Sequence, residues 1–225
     1  MHAVAKGAKR LKNSFQGPLD KGVLYRVRLG RAGGAGLCHL NSSRVREPFA
    51  RVRLDPARFL AAALVLEIGV DLMRENEPNR ELFRLLSFTM KALDRAPRER
   101  LPLAATLFLA RAVALSGHEP DISRCVRCGG PLGDGRRLRL SAAAGGTLHA
   151  RCADGQERGP FVGRETLALL EDMLELPAAD ILASHPPPRP LSLLRRVLAA
   201  WLEHSLERGF RSLAPMEREF AGGSL

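Results

Sequence analysis

Two close pairs of metal-capable side chains, Cys125-Val-Arg-Cys128 and His149-Ala-Arg-Cys152, sit in mid-chain with 20 residues between them. Within each pair the ligands are three positions apart, so one tight turn aims both at a single point. Four soft or borderline ligands in this spacing predict a tetrahedral Cys₃His site for structural Zn²⁺. Gly129-Gly130 after the first pair and Gly145-Gly146 before the second suit the tight backbone of such a knuckle. Three thiolates on a divalent ion leave a charge of about −1, and Arg124, Arg127 and Arg151 stand beside the ligands to offset it. The four positions leave no open coordination place, which points to a brace. A nucleobase-deaminase reading fails, because Arg124 precedes Cys125 where proline is needed and His118 is followed directly by Glu119.

Charge then divides the chain. The net charge is +11, and residues 1–54 hold 12 Lys/Arg against Asp20 and Glu47, a local balance of +10. The remainder holds 23 against 22. A basic surface in an arginine-rich protein is the plain alternative, but so concentrated a surplus predicts a polyanionic partner, most simply nucleic acid. Lys6, Lys9, Arg10 and Lys12 on a loop, with Arg26 and Arg28 on one strand face, would track a phosphate backbone. Phe15 is a candidate for base stacking, while Tyr25 falls on the apolar face of its strand.

In chain order, residues 1–54 read as short strands and turns. Val23 to Leu29 alternates, with Val23, Tyr25, Val27 and Leu29 on one face and Arg26 and Arg28 on the other. Leu37–Leu40 and Ala50–Leu54 supply further strand, giving a small barrel or open sheet. Asp55-Pro56 starts a helix running to about Glu75 and burying Phe59, Leu60, Leu64, Leu66, Val70 and Met73. A second helix puts Leu82, Phe83, Leu86, Met90 and Leu93 on one face, and a third spans about Leu103 to Leu115. After the knuckle come a helix over Arg164–Leu176, a proline-rich link over 177–190, and a long helix from about Leu191 to Leu206. That last helix carries Trp201 inward and Arg195 and Arg196 outward, and a tail follows it. Aromatics at 5% suit leucine- and alanine-rich helices better than a sandwich. The apolar run Phe59–Val70 is interrupted by Glu67 and too short to cross a bilayer. With no recognisable leader and no disulfide framework, the expected compartment is the reducing cytoplasm.

The order of these segments resembles the bacterial recombination-mediator family RecO. The matching residues are Val4-Ala5-Lys6-Gly7-Ala8-Lys9-Arg10, Phe15-Gln16-Gly17-Pro18-Leu19, Glu77 to Phe83, Gly117 to Gly129 and Leu202 through Ser212. The resemblance implies an α+β chain: an N-terminal OB-fold (1–54), a helical bundle (55–117), an inserted zinc module (118–162) and closing helices (163–225). It also implies binding of single- and double-stranded DNA and annealing of complementary strands. Work with RecR, contact with the acidic tail of single-stranded-DNA-binding protein, and help in loading RecA in the RecF pathway are implied in the same way. No bond-making activity is implied, and the location would be the nucleoid within the cytoplasm.

Members usually begin about two strands earlier, so Met1 is expected to fall within the OB-fold. His149 stands where zinc-bearing members often have cysteine, which keeps the ligand count at four. The competing class is a zinc-containing module of RNA, ribosome or transcription assembly. No Ser/His/Asp set, phosphate-binding glycine loop or acid–base carboxylate pair is present in the sequence.

Overall fold

The computed structural model describes residues 3–5, 19–30, 38–133, 137–154, 157 and 159–222. Its N-terminal part is an open sheet in the order β1-β3-β2, formed by β1 (Ala3–Val4), β2 (Leu24–Leu29) and β3 (Cys38–Glu47). β2 lies antiparallel to β3 with Arg26 opposite Arg44 and Arg28 opposite Ser42, while β1 pairs parallel with Cys38-His39. The alternation of β2 therefore holds, but its apolar face is covered only at one end: Val27 is 48% and Leu29 40% exposed. Tyr25 is half-buried, and its hydroxyl accepts from the Asp20 amide at 3.0 Å, which closes the turn into β2.

The strand expected over Ala50–Leu54 is instead a 3-10 turn over Arg51–Arg53. A distant carboxylate decides this. Asp94 Oδ1 accepts from the amides of Arg51 (2.9 Å) and Val52 (3.2 Å), taking the donors a strand would give to a neighbour. Val52 is buried, and the chain turns there into α1 (Pro56–Leu72). As expected, Asp55 caps this helix, its carboxylate accepting from Ala57 N and Arg58 N, with Pro56 in the first turn.

α1 buries only part of the face expected: Leu64 is buried and Leu60 and Leu66 are half-buried against the core. Ala57, Ala61, Ala62, Leu64, Val65, Ile68 and Gly69 point inward, whereas Phe59, Val70 and Met73 are 55%, 66% and 50% exposed. The helix is apolar all round, so size rather than polarity selects the face. A side chain at Gly69 would put its Cβ 2.7 Å from Leu86 Cδ2, so small residues let α1 lie close against α2 (Arg80–Arg95). α2 is capped by Asn79 and buries Leu82, Leu85, Leu86, Thr89, Met90 and Leu93. Phe83 was expected on that buried face, but it is 56% exposed.

α3 (Leu101–Leu115) is the centre of the helical body, with eleven buried residues on all sides. α1, α2, α4 (Arg164–Glu175) and α6 (Pro188–Ser205) pack around it, so helices before and after the knuckle share one core. The proline-rich link is partly helical: α5 (Ala178–Ala183) buries Ile181, and Pro188 and Pro190 open α6. Proline fits a first turn because the amide it lacks has no helical partner there. The expected tail is also helical, α7 (Leu213–Gly222), anchored by fully buried Met216. Glu67 on α1 accepts from the amides of Arg211 and Ser212, both at 3.0 Å, and sets the entry to α7. Arg195, expected on the outer face of α6, is only 4% exposed, bound by Glu217 at 2.6 Å and stacked over Phe220. Among the described residues no helix is long and apolar enough to cross a membrane.

A second sheet, in the order β5-β4-β6, is inserted between α3 and α4: β4 (Leu138–Ser141), β5 (Gly146–His149) and β6 (Phe161–Val162). Trp201 of α6, 2% exposed, donates its indole N–H to the His118 carbonyl at 2.8 Å and ties this insert to the body.

Candidate metal centre and basic surfaces

The four sequence-predicted ligands converge. One donor atom from each of Cys125, Cys128, His149 and Cys152 lies within 4.8 Å of the others. His149 Nδ1 is 3.4 Å from Cys128 Sγ and 3.8 Å from Cys152 Sγ. A tetrahedral centre with typical Zn–S and Zn–N bonds would set such atoms about 3.5–3.8 Å apart, so the set is already close to coordination geometry. His149 Nε2 lies 3.0 Å from the Pro131 carbonyl, which can only accept. The proton therefore sits on Nε2 and the Nδ1 lone pair faces the thiols, the orientation a metal-ligating imidazole takes.

Local backbone explains the convergence. Gly129, at φ +69°, lets its amide return to the Cys125 carbonyl at 2.8 Å, while Cys125 N donates to Gly130 O at 3.0 Å. This turn brings Cys128 back beside Cys125. The first ligand loop is sewn to the hairpin by Val126 N to Thr147 O (2.9 Å) and Thr147 N to Asp121 O (2.8 Å). A Cβ on Gly146 would meet Asp121 O at 2.6 Å, so only glycine allows that approach.

The thiols are not equivalent. Burial pushes the Cys125 thiol up, but the amides of Cys128, His149 and Arg127 outweigh it and pull the group down to about 6. Burial and the neighbouring thiols Cys128 and Cys125 push Cys152 up. A pocket with one acidified thiol and another held up by its neighbours suits a divalent cation, which would replace the shared protons. Of the flanking arginines, Arg127 is held by Asp154 at 2.8 Å and by buried Glu157, and Arg124 by Asp121 at 3.7 Å. The bond to Asp154, with the charges of Asp154, Glu157 and Cys152, raises the Arg127 pKa. Arg127 thus fastens the segment after Cys152 to the first ligand turn.

Lys6, Lys9, Arg10 and Lys12 lie outside the described residues. Arg26 and Arg28 are exposed on β2, as expected. Arg44 and Arg46 of β3 join them, Arg44 directly opposite Arg26. Among the described residues no carboxylate pairs with any of the four. The clue to the missed pair was the alternation Arg44-Val45-Arg46, which mirrors Arg26-Val27-Arg28. Like charges directly across a ladder are destabilising, so this ribbon holds a concentration of cations that folding alone does not favour.

The family described as "Recombination protein O C terminal" matches residues 53–214. A DNA repair protein RecO of Anaeromyxobacter dehalogenans is 35% identical over 209 residues, covering 92% of this chain and 80% of that protein. Those of Frankia casuarinae and a Nocardioides species are 33% and 31% identical, each covering 97% of this chain and 86% and 87% of their own lengths. On this match, which takes in the ligand turns, the central helix and α6, the chain belongs to the RecO family of DNA repair proteins.

Proposed function

We propose that this protein is a recombination mediator of the RecF pathway that binds single- and double-stranded DNA, anneals complementary strands and, with RecR, helps load RecA. The observation that carries the reading is the four-arginine ribbon, without carboxylate partners among the described residues, in a chain of the RecO family. The β1-β3-β2 sheet belongs, in this reading, to an OB-type module over residues 1–54, with Lys6, Lys9, Arg10 and Lys12 on the same DNA path. Residues 55–117 and 163–225 form the helical body, and 118–162 the inserted module. Annealing needs no catalytic residue. Two strands repel through their phosphates, and cations that neutralise both while releasing counterions lower the barrier to pairing.

Cys125, Cys128, His149 and Cys152 would hold one structural zinc, which supplies a rigid cross-link between the first ligand turn and the β4–β5 hairpin. The acidic, apolar tail of single-stranded-DNA-binding protein would dock in the groove of about 1030 Å³ between α3, α6 and α7. Leu103, Leu191 and Phe220 line it, with Arg189 and Arg196 among its exposed cations. The place of action is the cytoplasmic nucleoid. Fluorescence-quench annealing of complementary oligonucleotides at low salt tests the proposal. Acceleration that fades as salt rises is expected, and rates equal to the protein-free control at low salt reject it.

A further inference from the structure

We propose that the outer face of α2 is a second seat for single-stranded DNA, outside the sheet and the metal module; this rests on the DNA-binding reading above. At 3.6 residues per turn, Arg80, Lys91, Arg84 and Arg95 fall within a sector of about 60°, opposite the buried row. They line a stripe about 22 Å long. Phe83 and Phe88 flank it on its two sides and are 56% and 37% exposed. A helix face that only meets water does not need two phenylalanines. Alternating cations and exposed rings are what an unpaired strand uses, phosphates on the former and bases stacked on the latter.

The carboxylates nearby leave the stripe a positive surplus. Asp94 is turned away to the amides of Arg51 and Val52, and Glu81 lies at the edge beyond Phe88. Among the described residues Glu47 alone engages the stripe, 3.3 Å from Lys91 and 3.6 Å from Arg95. Among the described residues Arg80 and Arg84 have no carboxylate partner. Arg80 opens the helix, where the dipole disfavours a cation, so its charge does not serve the helix. Glu47 also ends β3 next to Arg46, so the ribbon and the stripe meet at one corner and a strand leaving the first can continue along the second. The face is the convex outer side of a helix, with cations in a row and rings beside them, which favours a polyphosphate chain over an acidic peptide.

The test is fluorescence anisotropy of labelled oligo-dT at several salt concentrations. It compares wild type, Arg80→Gln/Arg84→Gln, Phe88→Ala, Glu47→Gln and the ribbon variant Arg26→Gln/Arg44→Gln. Removing Arg80 and Arg84 should flatten the log K against log salt slope by about 1.4, at 0.7 per phosphate, while thermal melts stay equal or rise. Phe88→Ala should weaken binding without changing the slope, and Glu47→Gln should tighten it by freeing Lys91 and Arg95. If the Arg80/Arg84 variant keeps the wild-type slope while the ribbon variant loses affinity, the α2 seat is wrong and the functional reading stands. If wild type fails to bind oligo-dT at low salt, the functional reading itself falls. Loss of binding to an acidic peptide with DNA binding intact would also overturn the proposal, assigning the face to a protein partner.

Discussion

Replacing Arg26 and Arg44 together by glutamine should move stability and DNA binding in opposite directions. The two residues are directly opposed on β2 and β3 and both are exposed. Like charges so placed cost on the order of 0.2–1 kcal/mol, so relieving them should raise stability by that amount. For a chain of this size that is a Tm increase of at most roughly 4 °C. If each arginine neutralises one phosphate, the salt slope on single-stranded DNA falls by about 1.4. Between 50 and 200 mM salt the wild type should then lose about sevenfold more affinity than the variant. Calorimetry gives the first quantity and anisotropy against oligo-dT the second. An unchanged slope in a folded variant would remove the ribbon from the interface, and a lowered Tm would show that the pair is structural.

Cys128→Ser should lower bound zinc from about one per chain and speed amide exchange in β4 and β5, while the α3 amides, deep in the shared core, stay protected; retained metal would exclude the four-ligand site. Asp94→Ala leaves the Arg51 and Val52 amides without an acceptor and should cost about 1–2 kcal/mol by chemical denaturation, with an unchanged midpoint contradicting its role as the cap of that turn. Burial pushes the Glu67 carboxyl up, but the amides of Ser212 and Arg211 outweigh it and hold the group below its usual range. A depressed carboxyl stabilises the fold above its unfolded pKa and loses that effect as pH falls through the lower folded value. Glu67→Gln should therefore cost up to ~1 kcal/mol at neutral pH and nothing once acid has protonated the wild type; a cost independent of pH would contradict the linkage.

What could be read from the sequence follows from how local each cause is. The convergence of the four candidate ligands was legible because glycine turns and close pair spacing act over a few residues, as does the Asp55-Pro56 helix start. Only part of the buried face of α1 was legible. With apolar residues all round, the choice between Phe59 and Ala61 is made by how closely α2 approaches at Gly69, a tertiary fact. The 3-10 turn at Arg51–Arg53 depends on a carboxylate more than forty positions away. Five prolines over 177–190 point to a link because proline breaks helices, yet here Pro177 caps one helix and Pro188 begins another. Arg44 and Arg46 carry a short alternation of their own, but that Arg44 faces Arg26 is set by the strand register, which no local pattern states. The place of His149 beside the three thiols was legible, but its tautomer was not, since the Pro131 carbonyl that sets it comes from the chain leaving the first ligand turn.

The central claim is that DNA is handled by the arginine ribbon while the metal centre only braces the fold. The most direct measurement is annealing of complementary strands coated with single-stranded-DNA-binding protein. Wild type would be followed beside an Arg26→Gln/Arg28→Gln/Arg44→Gln/Arg46→Gln variant, with metal content determined on both. The account predicts fast annealing by wild type and a large loss in the variant at equal metal content. Equal annealing by the two proteins would contradict it.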